Sequence, residues 1–157
     1  MTRTVSGSDL DLSRGRAREL YARDPTSQAL GIRLGAVGPG RASVRLRVSE
    51  AMCNGHGIVH GGYLFLLADA AFAYASNTHG PVAVAQAAQI TFVRPVLAGD
   101  ELVAEAVERG RFGRLGVYDV TVRRRGNARA RSRMEIVAEF RGNSTLLAAG
   151  RSLMGKE

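Results

Sequence analysis

The hydrophobic period of the chain changes several times, and each change marks an element. From Arg41 to Val48, Ala42, Val44, Leu46 and Val48 alternate with Arg and Ser, the two-residue period of a strand with one buried and one solvated face. Ala29 to Val37 reads as a strand before it, and Gly38-Pro39-Gly40 is turn chemistry, so the two predict a hairpin. Residues 49–59 form a glycine-containing loop. From His60 to about Thr78 the run HGGYLFLLADAAFAYASNT is helical and apolar on almost every side, and such a helix must be covered on almost every side. After Gly80-Pro81, strand-like runs follow at Val82 to Val93, Glu101 to Arg109, Leu115 to Arg125 and about Met134 to Phe140, and residues from Leu146 onward extend the last strand or trail off. Upstream, a short helix is expected from Ser13, as N-cap, to about Arg23, ended by Asp24-Pro25, because the residue before proline disfavours the α region. Residues 1–16 are expected to be frayed or disordered and 17–157 to form one domain. The later strands are joined by turns too short for crossover helices, so the predicted class is α+β, with an antiparallel curved sheet wrapped around one long central helix.

Composition narrows this picture. A chain of 157 residues with 45% hydrophobic and 23% charged residues is that of an ordinary globular domain with a substantial core. Cys53 is the single cysteine, which excludes an intrachain disulfide, and the opening MTRTVSGSDLDLSRGR carries no apolar signal-peptide core, so the expected compartment is cytoplasmic. The apolar stretch Tyr63 to Ala75 is interrupted by Asp69 and is shorter than the ~20 residues a membrane span needs. The net charge of +8 raises the question of nucleic acid, but the Arg residues run from end to end, and the Arg run 123–125 is not interleaved with base-stacking aromatics. A solvated Arg-rich surface, with some Arg available to the phosphates of a small ligand, fits better, and no nucleic-acid partner is expected.

Two features of the apolar helix carry chemistry. Asp69 lies in the middle of YLFLLADAAFAYA, and a carboxylate that loses its water there costs several kcal/mol unless it is paired or functional. Gly61-Gly62 opens the same helix, where the first N–H groups lack internal partners and form the positive end of the dipole, a setting suited to a carbonyl oxygen that gains charge during acyl transfer. The two cannot serve one carbonyl carbon within one helix, because eight residues at 1.5 Å rise separate them by ~12 Å. If both act in one reaction, Gly61 of one chain must face Asp69 of another, which predicts a two-fold homodimer with composite sites. Cys53, His56 and His60 have a superficial metal spacing but no fourth ligand, so no metal is expected; G-x-S-x-G, G-x-G-x-x-G and P-loop motifs are absent from the sequence.

At Asn54-Gly55-His56, His60-Gly61-Gly62, Leu66-Leu67-Ala68-Asp69 and Phe72-Ala73-Tyr74-Ala75, and again at Phe92-Val93-Arg94-Pro95, Ala98-Gly99-Asp100 and Gly116-Val117-Tyr118-Asp119, the sequence resembles the PaaI-type family of hotdog-fold acyl-CoA thioesterases, associated with phenylacetate catabolism. The resemblance covers roughly residues 17–125. It implies a hotdog fold assembled as dimers and commonly as tetramers of paired dimers, acting on acyl-CoA with no cofactor beyond the coenzyme A of the substrate. It also implies that Asp69 is the nucleophile or general base, that the Gly61 N–H polarises the thioester carbonyl, that His60 orients this region, and that Asn54 positions the acyl group or water. Gly62, Phe65, Phe72 and Gln86 are the expected substrate contacts, Gln86 standing in a strand where relatives often place Ser or Thr. Arg94, Arg111 and Arg114, and the segment 123–134, are candidates for the phosphates of CoA. The expected reaction is hydrolysis of phenylacetyl-like or medium-chain acyl-CoA; the rivals are a hotdog-fold hydratase or dehydratase and a non-catalytic acyl-CoA-binding module.

Overall fold

The computed structural model describes residues 6–125 and 134–148. Helix α1 (Gly7–Ala22) and the short α2 (Pro25–Leu30) lead into strands β1 (Arg33–Gly38) and β2 (Arg41–Arg47); the long helix α3 (Gly61–Ser76) follows, then strands β3 (Ala83–Phe92), β4 (Glu101–Phe112), β5 (Leu115–Arg124) and β6 (Glu135–Leu146). The strands form one six-stranded sheet in the order β1-β2-β4-β5-β6-β3, with every neighbouring pair antiparallel. The path from β2 through α3 to β3 passes over β4, β5 and β6, and α3 packs on the sheet, most closely against β2, β4 and β5 and less against β3 and β6.

Alternation builds the core. Val44 and Leu46 of β2, Leu102 and Ala104 of β4, and Val120 and Val122 of β5 all turn inward and are buried, and Leu67, Ala71 and Phe72 of α3 pack onto them. The opposite face is polar and carries an ion-pair ladder: Arg109 and Arg141 both meet Asp119 at 2.6 Å, and Arg123 meets Glu105 at 2.6 Å. Such exposed pairs contribute ~1 kcal/mol or less each, so they account for part of the high Arg content without carrying the fold.

Local chemistry fixes both ends of α3. At its C-terminus Asn77 donates through Nδ2 to the carbonyls of Ala73 and Ala83 and accepts from the Ala83 N–H at 3.0 Å, which ties the end of the helix to the start of β3. Thr78 Oγ1 donates to the Ala75 carbonyl and accepts from the Gly40 N–H, so the β1–β2 turn is held at the same place.

The N-terminal region departs from the expectation of a frayed residue 1–16 segment. Helix α1 begins at Gly7 because Ser6 and Asp9 form a capping box, Ser6 Oγ accepting from the Asp9 N–H and the Asp9 carboxylate accepting from the Ser6 N–H. Ser13, expected to cap, is instead buried within the helix and reaches the Thr78 carbonyl, which Arg16 also meets at 2.8 Å. Likewise the chain enters β1 only at Arg33. Asp24 caps a further helical turn with Pro25 in its first turn, and Gly31, at φ 75°, ends it. The last strand continues past Phe140 to Leu146, paired with β5 on one side and with β3 on the other, where the register shifts once between Ala85 and Ala87.

The two sheet edges differ. β1 is backed by α1, whereas β3 presents ten residues of Ala, Val, Gln, Ile, Thr and Phe, most of them exposed, with no proline or lysine to discourage pairing.

Candidate active site at the tip and the bare stripe of helix α3

Helix α3 starts without a side-chain cap. His60, at the N-cap position, is exposed, and its backbone N–H is spent on the Met52 carbonyl at 2.9 Å. Among the described residues no acceptor meets the N–H groups of Gly61 or Gly62, so the positive end of the helix is open. It opens on a cleft of about 390 Å³ lined by Asn54, Ile58, Val59, Gly61, Leu64 and the segment Phe92–Val96. The missing side chain matters at Gly61: a Cβ there would come within 2.6 Å of the Phe92 ring.

Asn54 is held for this cleft by its own turn. Its backbone exchanges hydrogen bonds with Ile58 and Gly57, and its Oδ1 accepts from the His56 N–H at 2.9 Å. The carboxamide NH2 is thereby left to donate to a ligand. Arg94 sits on the rim, but its guanidinium meets Glu135 at 2.9 Å and the Ile136 carbonyl at 2.9 Å. Glu135 is also paired with Arg124, which reaches Asp100 and the Pro95 carbonyl. An anion binding at Arg94 therefore competes with a carboxylate already in place.

Asp69 is absent from the cleft. It lies half-buried further along α3, on a stripe with Gly62, Phe65, Leu66 and Ala73 that the sheet leaves uncovered. No hydrogen-bond donor among the described residues meets its carboxylate, and burial, reinforced by the negative charge of Asp24, holds its pKa above the usual carboxylate range. Phe65 stands at the border of stripe and core, its ring edge-on to Phe140 at 5.3 Å. Gln86 is exposed at the middle of β3, where the register with β6 shifts between Ala85 and Ala87, so it is the extra residue of a β-bulge.

Two groups of expected contacts are not brought together with these. Phe72 is only 1% exposed, its ring packed on Tyr118 and Phe140 at 5.5 and 5.9 Å and into the space over Gly142, so it is a core residue and not part of a binding surface. Phe72→Ala is expected to cost ~3–5 kcal/mol in chemical denaturation, and a loss below ~1 kcal/mol would mean that the ring is not packed as described. Arg111 and Arg114 lie beside the β4–β5 turn, at the end of the sheet near the C-terminus of α3 and away from Gly61; Arg111 pairs with Glu108, and Arg114 donates to the Leu146 carbonyl. Most of the basic segment after Arg125, residues 126–133, is outside the described residues. Cys53, His56 and His60 do not converge, and no group of three or more His, Cys, Asp or Glu among the described residues could hold a metal.

The apolar wall of the cleft, Ile58, Val59, Leu64 and Phe92–Val96, does not stand out in the sequence as a site. Its one signal is the run Phe92-Val93-Arg94-Pro95, in which proline ends the strand and turns the chain back under the helix tip.

Against known proteins, the model of the Thioesterase superfamily matches residues 56–130. Acyl-coenzyme A thioesterase PaaI of Escherichia coli (strain K12) is 43% identical over 128 residues, covering 82% of this chain and 86% of that protein. The chain belongs to the thioesterase superfamily, among its PaaI-type members. Its fold agrees: the structure of the E. coli PaaI protein from the phenylacetic acid degradation operon superposes with a TM-score of 0.80 at 40% identity, covering 88% of this chain and 95% of that one. A mutant of the phenylacetic acid degradation protein PaaI from Thermus thermophilus superposes with a TM-score of 0.71 at 40% identity, over 79% of this chain and 100% of that one. The hotdog fold and thioester hydrolysis expected from the sequence are thus the fold and the activity of this family member. Among the described residues no helix is long and apolar enough to cross a membrane.

Proposed function

We propose that this PaaI-type chain hydrolyses acyl-CoA thioesters, of the arylacetyl or medium-chain kind, at sites shared between two copies of itself. The observation that carries this reading is the separation of the two reactive features: an uncapped helix tip opens on an apolar cleft, while the acid of the same helix lies outside that cleft on an uncovered stripe. Two-fold pairing along the bare edge of β3 would set two α3 helices side by side in opposite senses, so that each tip meets the middle of the other. The acyl group would lie in the apolar cleft, its thioester oxygen accepting from the Gly61 N–H. Asp69 of the second copy would take a proton from the attacking water. Its raised pKa favours that role, because a carboxyl that holds its proton more tightly is a better base near neutral pH. The tetrahedral intermediate would collapse with release of the CoA thiolate and the free acid. The Asn54 amide and, from its bulge on β3, Gln86 would hold water or the acyl carbonyl, and Arg94, on the rim of the cleft, would take a CoA phosphate.

Subunit mixing tests the shared site. Asp69→Asn and Gly61→Val chains, each inactive alone, are expected on co-refolding to form hybrids with one intact site, restoring roughly a quarter of wild-type thiol release for a random dimer. Sites confined to single chains would leave the mixture inactive. Product analysis with a panel of acyl-CoAs, phenylacetyl-CoA included, separates hydrolysis from its rivals: an altered acyl chain on an intact thioester, or binding without turnover, would overturn the reading.

A further inference from the structure

Strand β3 ends at Phe92, and the segment that follows walls the cleft with little help from sheet pairing. The N–H groups of Val93 and Arg94 both turn to the Val137 carbonyl, at 2.8 and 3.2 Å, and Pro95 has no N–H to donate. The side chain of Arg124, at the end of β5, supplies the hold. Its Nη1 donates to the Pro95 carbonyl at 3.2 Å and to the Asp100 carboxylate at 3.1 Å, and its Nη2 donates to Glu135. Each partner carries the hold further. Asp100 also accepts from the Leu97 N–H at 2.9 Å, and Glu135 meets Arg94 at 2.9 Å. The carbonyl of Val96, next after Pro95, accepts from the Val59 N–H at 2.8 Å, two residues before Gly61. The Arg124 and Asp100 side chains are only 23% and 24% exposed, so water competes little for these contacts.

We propose that Arg124 is a positioning residue for the acyl cleft: its guanidinium fixes the wall of residues 93–97 beneath the tip of α3 and thereby sets which acyl groups the cleft accepts. The proposal rests on the cleft being the acyl site. Arg124 is not among the residues that line the cleft, so it acts through the wall and not on the substrate. Neutralising charge would take one partner. This head meets a carbonyl and two carboxylates on separate segments, a task suited to a planar fork of donors and not to a point charge. The groups it holds in place, Val93, Pro95 and Val96, are apolar, so their position is felt by an acyl chain long enough to touch them.

Arg124→Gln, in the full-length protein, is expected to lower kcat/KM for hexanoyl-CoA and phenylacetyl-CoA roughly tenfold, the loss following from a displaced wall, and to lower it much less for butyryl-CoA. The ratio of long to short substrate is the deciding quantity, because a loss of folded protein lowers both alike and leaves the ratio unchanged. Arg124→Lys keeps the charge without the fork and should show the same fall in ratio; full recovery in this variant would make charge alone sufficient and overturn the proposal. Ile58→Ala enlarges the cleft from its opposite side without touching Arg124 or its partners, and should also move the ratio. A ratio unmoved in Arg124→Gln but moved in Ile58→Ala overturns the role of Arg124 and leaves the cleft as the acyl site. A ratio unmoved in both removes the acyl site from this cleft, and the proposal with it.

Discussion

Asp69→Asn is expected to lower kcat by ~10²- to 10⁴-fold while raising the melting temperature at neutral pH. Both effects come from the same feature. Asp69 is half-buried, without a donor among the described residues, and under the influence of a second carboxylate, so the folded chain holds its proton more tightly than the unfolded chain does. A group whose pKa is raised on folding contributes stability that is fully present below the unfolded pKa and is lost as the pH rises through the folded one. At neutral pH the ionised Asp69 therefore works against the fold, and a neutral side chain of the same shape relieves it. The melting temperatures of variant and wild type should converge at acid pH and separate toward neutrality, with the variant higher. A variant that melts at or below wild type at neutral pH would show that the carboxylate finds a stabilising partner in the assembled protein, and an unchanged kcat would remove Asp69 from the chemistry.

Gly61→Val is expected to lower kcat/KM roughly 10²-fold or more, the scale set by displacing a reacting group by about an ångström. The new side chain starts 2.6 Å from the tip of the Phe92 ring. That ring is 53% exposed and free to swing, so the helix should still form and thermal melting should change little. What changes is the approach to the helix tip, where the Gly61 N–H can no longer come close to a carbonyl. Retained kcat/KM with a folded variant would move the oxyanion donor elsewhere.

Much of this was legible in the residues because it rests on periodicity. The bounds of the central helix are legible to within about two residues, since its run is apolar but for Asp69 and a glycine pair opens it; the hairpin and the later strands follow from alternation. The isolation of Asp69 and its distance from Gly61 are consequences of helix geometry alone. What the pattern could not reveal depends on contacts between distant segments. Phe72 shares the helix with Asp69, and one sequence offers no sign that Gly142 opens space for its ring on the sheet side. Arg111 and Arg114 occupy a turn whose end of the sheet is fixed only by the strand order. The capping box at Ser6 is legible as Ser-x-x-Asp, but the polar residues around it resemble a tail; α1 is held by Arg16 on Thr78, a contact across more than sixty positions. Asp24 gives only its helix-ending sign in the sequence, and the hydrogen bond it accepts from the Tyr74 hydroxyl of α3 at 2.7 Å is a tertiary event.

The bulge at Gln86 has a bearing on assembly fidelity. A uniform strand edge of small residues can dock a copy of itself in several offsets, each inverting or preserving the facing side chains as the slip is odd or even. An extra residue at the middle of β3 breaks that uniformity, because a two-fold mate must accommodate two bulges symmetrically about the axis. Few offsets meet that condition, and each fixes how far one helix tip lies from the acid of its neighbour. An irregularity in a single edge would in this way gauge the spacing of groups that belong to different chains.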